Sequence, residues 1–288
     1  VTVPEQPYIA AEDSWLYSYP NVPITTTGLG DPDSAYDGTG IDADGGSDLP
    51  TSASGKIGNS WAFDDAQGVL VEADGVINSM DQTGSIAMWL YNDDCDVGDM
   101  ALSFSNTDES YLTADTMYFA DRCGEFDAQF RGDNDGDTDW HMRSSGAGLT
   151  EDTWYHIVIT HDGTTPAMWV NGVDETNWFS NADTTLWIGD IVANIDNFRF
   201  AGQTSGWTTG SYWTGMIDQF LIYDDVLTQS EIEALWNNGN GDTTPDESNL
   251  VVHYDFEDTD NTLRNSAPAM VTTTSQQYSV IQVGATET

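Results

Sequence analysis

The stretch GSYWTGMIDQFLIYDDVLTQSEIEALW, residues 210–236, carries the clearest signals for secondary structure in this chain. Its segment Met216–Tyr223 is apolar, aromatic and β-branched, which predicts a strand that ends at the two aspartates that follow. Thr228 suits a helix N-cap, and Glu231 occupies the capping-box position three residues later. The apolar spacing beyond it and the C-cap sequence Asn-Asn-Gly predict one short helix near residues 228–237.

The composition excludes several classes of partner. The chain has 288 residues, with 49 acidic residues against 6 basic ones and a formal net charge of −43. Such a charge repels nucleic acid and anionic membranes, so we expect neither as a partner. The 11 Trp, 12 Tyr and 10 Phe speak against disorder, and no apolar run is long enough for membrane insertion. Because salt screens self-repulsion, the charge predicts a salt-rich or calcium-rich setting.

The pattern along the chain predicts one main β domain. We expect an N-terminal arm over residues 1–14, a domain over 15–240, a linker over 241–249, and a strand extension over 250–288. The extension is expected to pack on the same domain or on a neighbouring copy. Most of the segments in 55–240 that alternate or are continuously apolar have the length of strands, and they favour a two-sheet sandwich.

Two polar segments are candidates for loops with a function. Residues 25–54 are rich in Gly, Asp, Ser and Thr, which predicts either a solvated loop or a calcium-binding one. The turn at 132–138 has the oxygen density of a calcium loop through Asp133, Asp135 and Asp137. Its glycine is misplaced for an EF-hand, and the same sequence suits the tip of a hairpin, so both alternatives stay open.

Two further sets of residues have a predicted role. Cys95 and Cys123 are the only cysteines, and an even count in an exported protein favours a disulfide over two free thiols. The segment 201–213 alternates small flexible residues with aromatic ones, as a loop that stacks on sugar rings would. Its candidate ligand-binding residues are Gln203, Trp207, Tyr212 and Trp213. The alternative is that these aromatic residues only cover the edge of the sandwich.

The closing stretch resembles a known superfamily. The pattern Gly-x-Ile-Asp-x-Phe-x-Ile-Tyr-Asp, followed by Leu-Thr-x-x-Glu-Ile, is similar to the closing signature of laminin-G-like domains of the concanavalin A-like lectin/glucanase superfamily. Further similar segments are Gly55–Asp64, Gly84–Leu90, Thr153–Gly163 with Ala167–Gly172, and Thr185–Gly189, which is expected as a strand. The resemblance covers about residues 55–240 and implies an all-β, two-sheet antiparallel jelly-roll sandwich with the one short helix.

The resemblance also implies a metal and a function. In that superfamily the aspartate of the closing strand often binds a structural calcium ion, which makes Asp218 the leading candidate, with Asp37 and Asp42 as possible partners from N-terminal segments. Some relatives are glycoside hydrolases or polysaccharide lyases. The clustered Glu-x-Asp-x-x-Glu motif of the glucanase branch does not occur here, so we do not expect an enzyme.

The leading hypothesis is therefore a non-catalytic, extracellular lectin-like domain that binds a glycan or a cell surface, is stabilised by calcium and is adapted to high salt. A second hypothesis, from another class, is a structural subunit of a virion, a surface layer or a filament, with other subunits as partners. Either can form homo-oligomers. A polysaccharide-degrading enzyme is the third alternative.

Overall fold

A computed structural model describes residues 37–42, 48–64, 67–71, 76, 80–93, 98–106, 115–122, 124–132, 137–144, 150–205 and 208–267, with the side chains of 70–71, 203–205 and 208–210 left aside. The predicted arm, the tail beyond residue 267, and Cys95 and Cys123 with their predicted pairing lie outside these residues.

The described residues form two large antiparallel sheets. The strands are β1 (Gly38–Asp42), β2 (Thr51–Ser54), β3 (Asn59–Phe63), β4 (Gln67–Val71), β5 (Gly84–Asn92), β6 (Met100–Ser105), β7 (Thr116–Asp121), β8 (Phe126–Arg131), β9 (Trp140–Ser144), β10 (Thr153–His161), β11 (Pro166–Val170), β12 (Val173–Asp174), β13 (Thr176–Asn181), β14 (Asn197–Phe200), β15 (Gln203–Ser205), β16 (Thr208–Gly210), β17 (Gly215–Tyr223), β18 (Leu250–Tyr254) and β19 (Thr262–Leu263). The helices are α1 (Ile188–Ile191), α2 (Gln229–Trp236) and a 3₁₀ turn at Asn237–Gly239.

The nine-stranded sheet has the order β13-β9-β8-β7-β6-β14-β4-β1-β19. The eight-stranded sheet has the order β12-β11-β10-β5-β17-β3-β2, and β18 pairs with the second half of β17. A small hairpin of β15 and β16 stands apart from both. The all-β, two-sheet prediction is thus confirmed. The segment from residue 250 joins the sheets of its own chain, because β18 pairs with β17 and β19 pairs with β1.

The core lies between the two sheets and is built from alternate residues of the strands. Aromatic side chains dominate it: Phe198 stacks on Phe104 at 4.5 Å between ring centroids, and Phe220 lies 4.9 Å from Phe200. On β10, Ile157 and Ile159 face this core, whereas Val158 faces the opposite side of the sheet.

The predicted helix is confirmed at its caps. The Thr228 hydroxyl accepts the Glu231 N–H, and the Glu231 carboxylate accepts the Thr228 N–H at 2.7 Å. The helix ends at Asn237, whose φ of 48° is the left-handed conformation that a C-cap requires.

Two predicted segments differ from the structure. Residues 25–54 were expected as one long loop, but β1 and β2 lie within this range and pair with β4 and β3. The strand expected at Thr185–Gly189 is wrong, because helix α1 begins at Ile188. Its start is fixed by Asp190, whose carboxylate accepts the Trp187 N–H at 2.9 Å.

The turn at 132–138 joins β8 to β9, which pair as an antiparallel hairpin. Asp133 and Asp135 lie outside the described residues, and Asp137 is exposed. No helix among the described segments is long and apolar enough to cross a membrane.

Candidate functional site

Helix α2 covers part of the outer face of the eight-stranded sheet. Ile232 and Leu235 of the helix are buried against Ala87, Val158 and Leu221 of the sheet. This apolar layer covers the middle of the strands beneath the helix.

A turn covers a second part of the same face. The Lys56 ammonium lies 4.7 Å from the centroid of the Trp89 ring, and the His156 ring lies 5.1 Å from the same ring. The Asp218 carboxylate accepts the Ile57 N–H at 2.9 Å and so fixes the turn. Trp89 is buried, and it packs under this turn rather than between the sheets.

The outer face of the nine-stranded sheet has a different character. The strand register aligns polar residues from six neighbouring strands in one row, since each is the direct cross-strand partner of the next. The row contains Arg199, Ser103, Tyr118, Gln129, His141 and Ser180. With about 4.8 Å between strands, this polar row is roughly 24 Å long.

A buried carboxylate organises the row beside it. The Asp127 carboxylate binds Arg122 Nε at 2.5 Å and Arg143 Nε at 3.1 Å through one oxygen, and His141 Nε2 at 2.7 Å through the other. Asp127 is fully buried, so its hydrogen bonds with Arg143 and His141 and its ion pair with Arg122 hold both guanidinium groups in fixed positions. Because Arg143 uses only Nε, its two terminal nitrogens have no hydrogen bond to the described residues.

Gln129 connects the polar row to a third arginine. With its amide oxygen turned toward Arg131, it accepts from Arg131 Nε at 2.7 Å and Nη2 at 3.0 Å, and its nitrogen donates to the Tyr118 hydroxyl at 2.7 Å. Burial, together with the Asp127 charge, raises the pKa of Tyr118 to about 12. Tyr118 therefore stays a neutral hydroxyl at any physiological pH.

An exposed aromatic ring borders the polar row. Phe179 on edge strand β13 is 63% exposed, and the Arg143 guanidinium lies 4.1 Å from its ring centroid. The His141 ring lies 4.8 Å away on the same side. A register shift between Trp178 and Ser180 turns Phe179 out of the regular alternation. The result is a flat apolar surface next to a cation.

The predicted ligand loop lies near the other end of the polar row. Its residues Gln203–Ser205 and Thr208–Gly210 form the β15–β16 hairpin, and Trp207 and the Gln203 side chain lie outside the described residues. Tyr212 is half-buried, and its ring centroid lies 5.6 Å from the Arg199 guanidinium. A side chain at Gly202 would lie only 3.2 Å from atoms of both residues, so this close approach requires glycine.

Trp213 requires a correction. Its side chain is only 1% exposed and belongs to the core between the sheets, so its ring is not offered for stacking on a sugar. The sequence did not show this, because an aromatic residue in a polar loop has the same pattern whether its ring points inward or outward.

The predicted metal ligands do not come together. Among the described residues there is no group of three or more His, Cys, Asp or Glu side chains placed to hold a metal ion, so Asp218, Asp37 and Asp42 do not form the expected cluster. Asp42 instead accepts the Asp48 N–H at 2.8 Å, and Asp37 the Asn265 N–H at 3.4 Å.

Asp218 is a buried carboxylate beneath the turn at Lys56 and Ile57. The Ile57 N–H donates to its Oδ2 at 2.9 Å, whereas its Oδ1 is buried and has no hydrogen-bond partner among the described residues. Burial raises the pKa of Asp218 to about 7.

The sequence reasoning missed the residues of the polar row and its neighbours. A usable signal was present, because the chain has only six basic residues and four of them, Arg122, Arg131, Arg143 and Arg199, fall within 78 positions. Their common face became visible only when the strand register was known.

Comparisons with known proteins agree with the architecture. The sequence pattern of the concanavalin A-like lectin/glucanases superfamily matches residues 63–233, more than half of the chain. No curated protein matches this chain. The fold is similar to that of the Ruminococcus gnavus IT-sialidase CBM40, with 15% identity, 69% of this chain and 97% of that chain covered, and a TM-score of 0.49.

Two further solved structures are similar. Domain 4 of AbnA, a GH43 extracellular arabinanase from Geobacillus stearothermophilus, has 19% identity over 68% of this chain and 85% of that one, with a TM-score of 0.43. The K499G mutant of the NanB sialidase from Streptococcus pneumoniae has 15% identity over 60% of this chain and 27% of that one, with a TM-score of 0.50. At these identities the similarity concerns the fold alone.

Proposed function

This chain belongs to the concanavalin A-like lectin/glucanase superfamily, and we propose that it is a non-catalytic domain that binds acidic glycans on the outer face of its nine-stranded sheet. The observation that carries the proposal is the placement of the basic residues. In a chain with a net charge of −43, four of the six basic side chains lie on or beside this one face.

The chemistry of this face suits a sugar with a carboxylate or sulfate group. Arg143 is 23% exposed, and its terminal nitrogens are available for a bidentate bond to an anion. Phe179 beside it offers a flat ring for the C–H face of a sugar. Asp127 fixes the guanidinium in advance, which lowers the entropy lost on binding.

Two of the structures with a similar fold hold sugars. The Ruminococcus gnavus IT-sialidase CBM40 is bound to sialyllactose, and Domain 4 of AbnA from Geobacillus stearothermophilus is in complex with arabinotriose. The proposal for this chain rests on its own residues, since the similarity extends to the fold only.

A glycan array with neutral, carboxylated and sulfated oligosaccharides tests the proposal, at low and at high salt. We expect binding to acidic glycans that weakens as salt rises, because the contact is partly between charges. Arg143→Gln should reduce the affinity about tenfold or more, whereas Arg264→Gln, beside edge strand β19 at the opposite end of the sheet and paired with Asp258, should leave it unchanged.

Equal binding of neutral and acidic glycans by the native protein and by Arg143→Gln would contradict the proposal. A panel of polysaccharides incubated with the protein tests the non-catalytic part of it. Release of oligosaccharides, tracked by chromatography, would show an enzyme instead.

Calcium stabilisation, adaptation to high salt and an extracellular, cell-surface or virion location are also proposals. Their support is the abundance of carboxylates and the scarcity of basic residues. If calcium binds through Asp218, a chelator should lower the melting temperature in calorimetry, and Asp218→Asn should abolish that difference.

A further inference from the structure

A cavity of about 240 Å³ lies on the opposite side of the molecule, where helix α2 begins above the end of strand β17. Segment 242–249 closes its remaining side. The apolar part of its lining comes from Val226, Leu227, Ala234 and Leu235. The cavity is smaller than a typical drug-sized site and suits a ligand of only a few heavy atoms.

Four carboxylates surround the cavity, namely those of Asp225, Glu231, Asp242 and Asp246. Each is held by a nearby backbone N–H, from Val226, Thr228, Thr244 and Ser248 respectively, at distances of 2.7–2.9 Å. None of them pairs with Lys or Arg in the described part of the chain. The carboxylates are thus fixed in place, while their charge stays uncompensated.

Tyr223 is a second, independent sign of a ligand. Its side chain lines the cavity and is only 3% exposed, yet its hydroxyl makes no hydrogen bond to the residues that the structure describes. Burial raises the pKa of Tyr223 well above its usual range, and the charges of Asp246, Asp242 and Glu231 raise it further. The hydroxyl therefore stays protonated, lies in the field of these carboxylates and is not sealed from solvent, since it is not among the buried polar atoms that lack a partner.

We propose that this cavity binds an organic cation, an ammonium group carried on a short alkyl stem. The ammonium group would neutralise the surrounding carboxylates and donate a hydrogen bond to the Tyr223 hydroxyl oxygen, and the stem would lie on Leu227 and Leu235. An anion would be repelled here. A metal ion is a poor fit because the carboxylates do not converge on one point within the described residues and half of the lining is apolar.

The proposal is independent of the glycan-binding face, because none of its residues lies on the nine-stranded sheet. The test is a titration of the full chain with n-butylammonium chloride, followed by two-dimensional NMR at fixed ionic strength. We expect saturable shifts of the amide signals of Tyr223, Leu227 and Leu235. Butan-1-ol, which has nearly the same shape and no charge, should produce none of them.

Two variants and a matched control sharpen the test. Tyr223→Phe keeps the ring, and loss of one hydrogen bond should weaken binding by roughly three- to tenfold. Asp246→Asn should weaken it similarly by removing one charge. Asp162→Asn is the control, because the Asp162 carboxylate also accepts a backbone N–H at 2.8 Å but lies away from the cavity.

Cations gather around any chain this acidic, so the location of the shifted amide signals decides whether binding is specific to the cavity. Small shifts spread over the whole acidic surface, equal in Asp246→Asn and Asp162→Asn, would overturn the proposal. Nα-acetyl-lysine amide serves as a second probe: affinity similar to that of n-butylammonium points to a free cation, and much tighter binding points to a lysine side chain of a partner protein. Either result supports the cavity as a cation site. If neither probe binds, the proposal is refuted.

Discussion

The two sheets of this protein turn similar faces toward the core but different faces outward. On the eight-stranded sheet, apolar residues such as Val158 and Leu221 pack under helix α2, and Trp89 packs under a turn. On the nine-stranded sheet, the outward positions hold Gln129, His141 and arginine side chains tied to Asp127.

The difference teaches where a ligand can bind. The apolar outer face of the eight-stranded sheet lies under helix α2, which leaves space at the cavity beside its first turn. On the nine-stranded sheet the polar row is itself largely buried, and the side chains accessible beside it are those of Arg122, Arg143 and Phe179. The nine-stranded sheet is also where the scarce positive charge is concentrated. Three changes test this comparison between the faces.

The largest effect is expected from a charge placed under the helix. Ile232→Asp puts a carboxylate against Ala87, Val158 and Leu221 and should lower the free energy of unfolding by about 4 kcal/mol. The matched change Phe179→Asp, on the outer side of the other sheet, should cost less than about 1 kcal/mol because that side chain is already exposed. Urea denaturation measures both, and equal losses would mean that the two faces are not different.

The second prediction concerns the pH dependence of stability and two buried residues beneath the turn, His156 and Asp218. Burial lowers the pKa of His156 to about 3, from 6.5, so its contribution to stability is lost as pH falls from 6.5 toward 3. The pKa of Asp218 is raised to about 7, from 3.8, so its contribution is lost as pH rises from 3.8 to 7. Between about pH 4 and 6.5 the two trends oppose each other. Lys56 and Glu257 are the other charged groups near these two residues.

When either His156 or Asp218 is replaced, stability should follow the pH dependence of the residue that remains. Relative to the native protein, Asp218→Asn should gain stability as pH rises, and His156→Gln should lose it, by roughly 1 kcal/mol per pH unit. The double variant should follow the native curve, which provides the control. Denaturation at a series of pH values measures these slopes, and parallel curves for all four proteins would show that neither group has the inferred environment.

The smallest of the three effects is expected at the centre of the polar face. Asp127→Asn leaves Arg122 and Arg143 without a counter-charge and should lower the free energy of unfolding by about 2 kcal/mol. Asp258→Asn removes a partner of Arg264, which is partly exposed, and should cost at most about 1 kcal/mol. Stability that is the same in both variants would argue against a fixed arginine pair on this face.

Much of the fold followed from local patterns. The apolar residues of Met216–Tyr223 and the Thr228–Glu231 capping box need only neighbours in sequence to form, so strand β17 and helix α2 were predicted with nearly correct ends. The expected strand at Thr185–Gly189 failed for a tertiary reason. Trp187 is buried where its ring stacks on His161 at 5.1 Å, and Asp190 caps a helix at this point.

The candidate site was less predictable than the fold. Trp213 was expected on a binding surface and lies in the core, whereas Phe179, which the sequence did not single out, is exposed beside Arg143. The cavity under helix α2 likewise combines Tyr223 with carboxylates up to 23 residues away in the chain. Such groupings depend on strand register and on loop packing, which leave no periodic signal in the sequence.

The sequence by itself determined the class of the protein: an all-β sandwich of a recognisable superfamily, one capped helix, and a strongly acidic charge. These properties depend on alternation, capping residues and composition, each of which is local or additive. Only the tertiary structure decided which residues cover the outer face of each sheet. It also decided which residues meet on the outer face of the nine-stranded sheet. Arg199 on β14 and Arg143 on β9 share a face because four successive strand pairings, through β6, β7 and β8, set their register. Such pairing is a property of the whole fold.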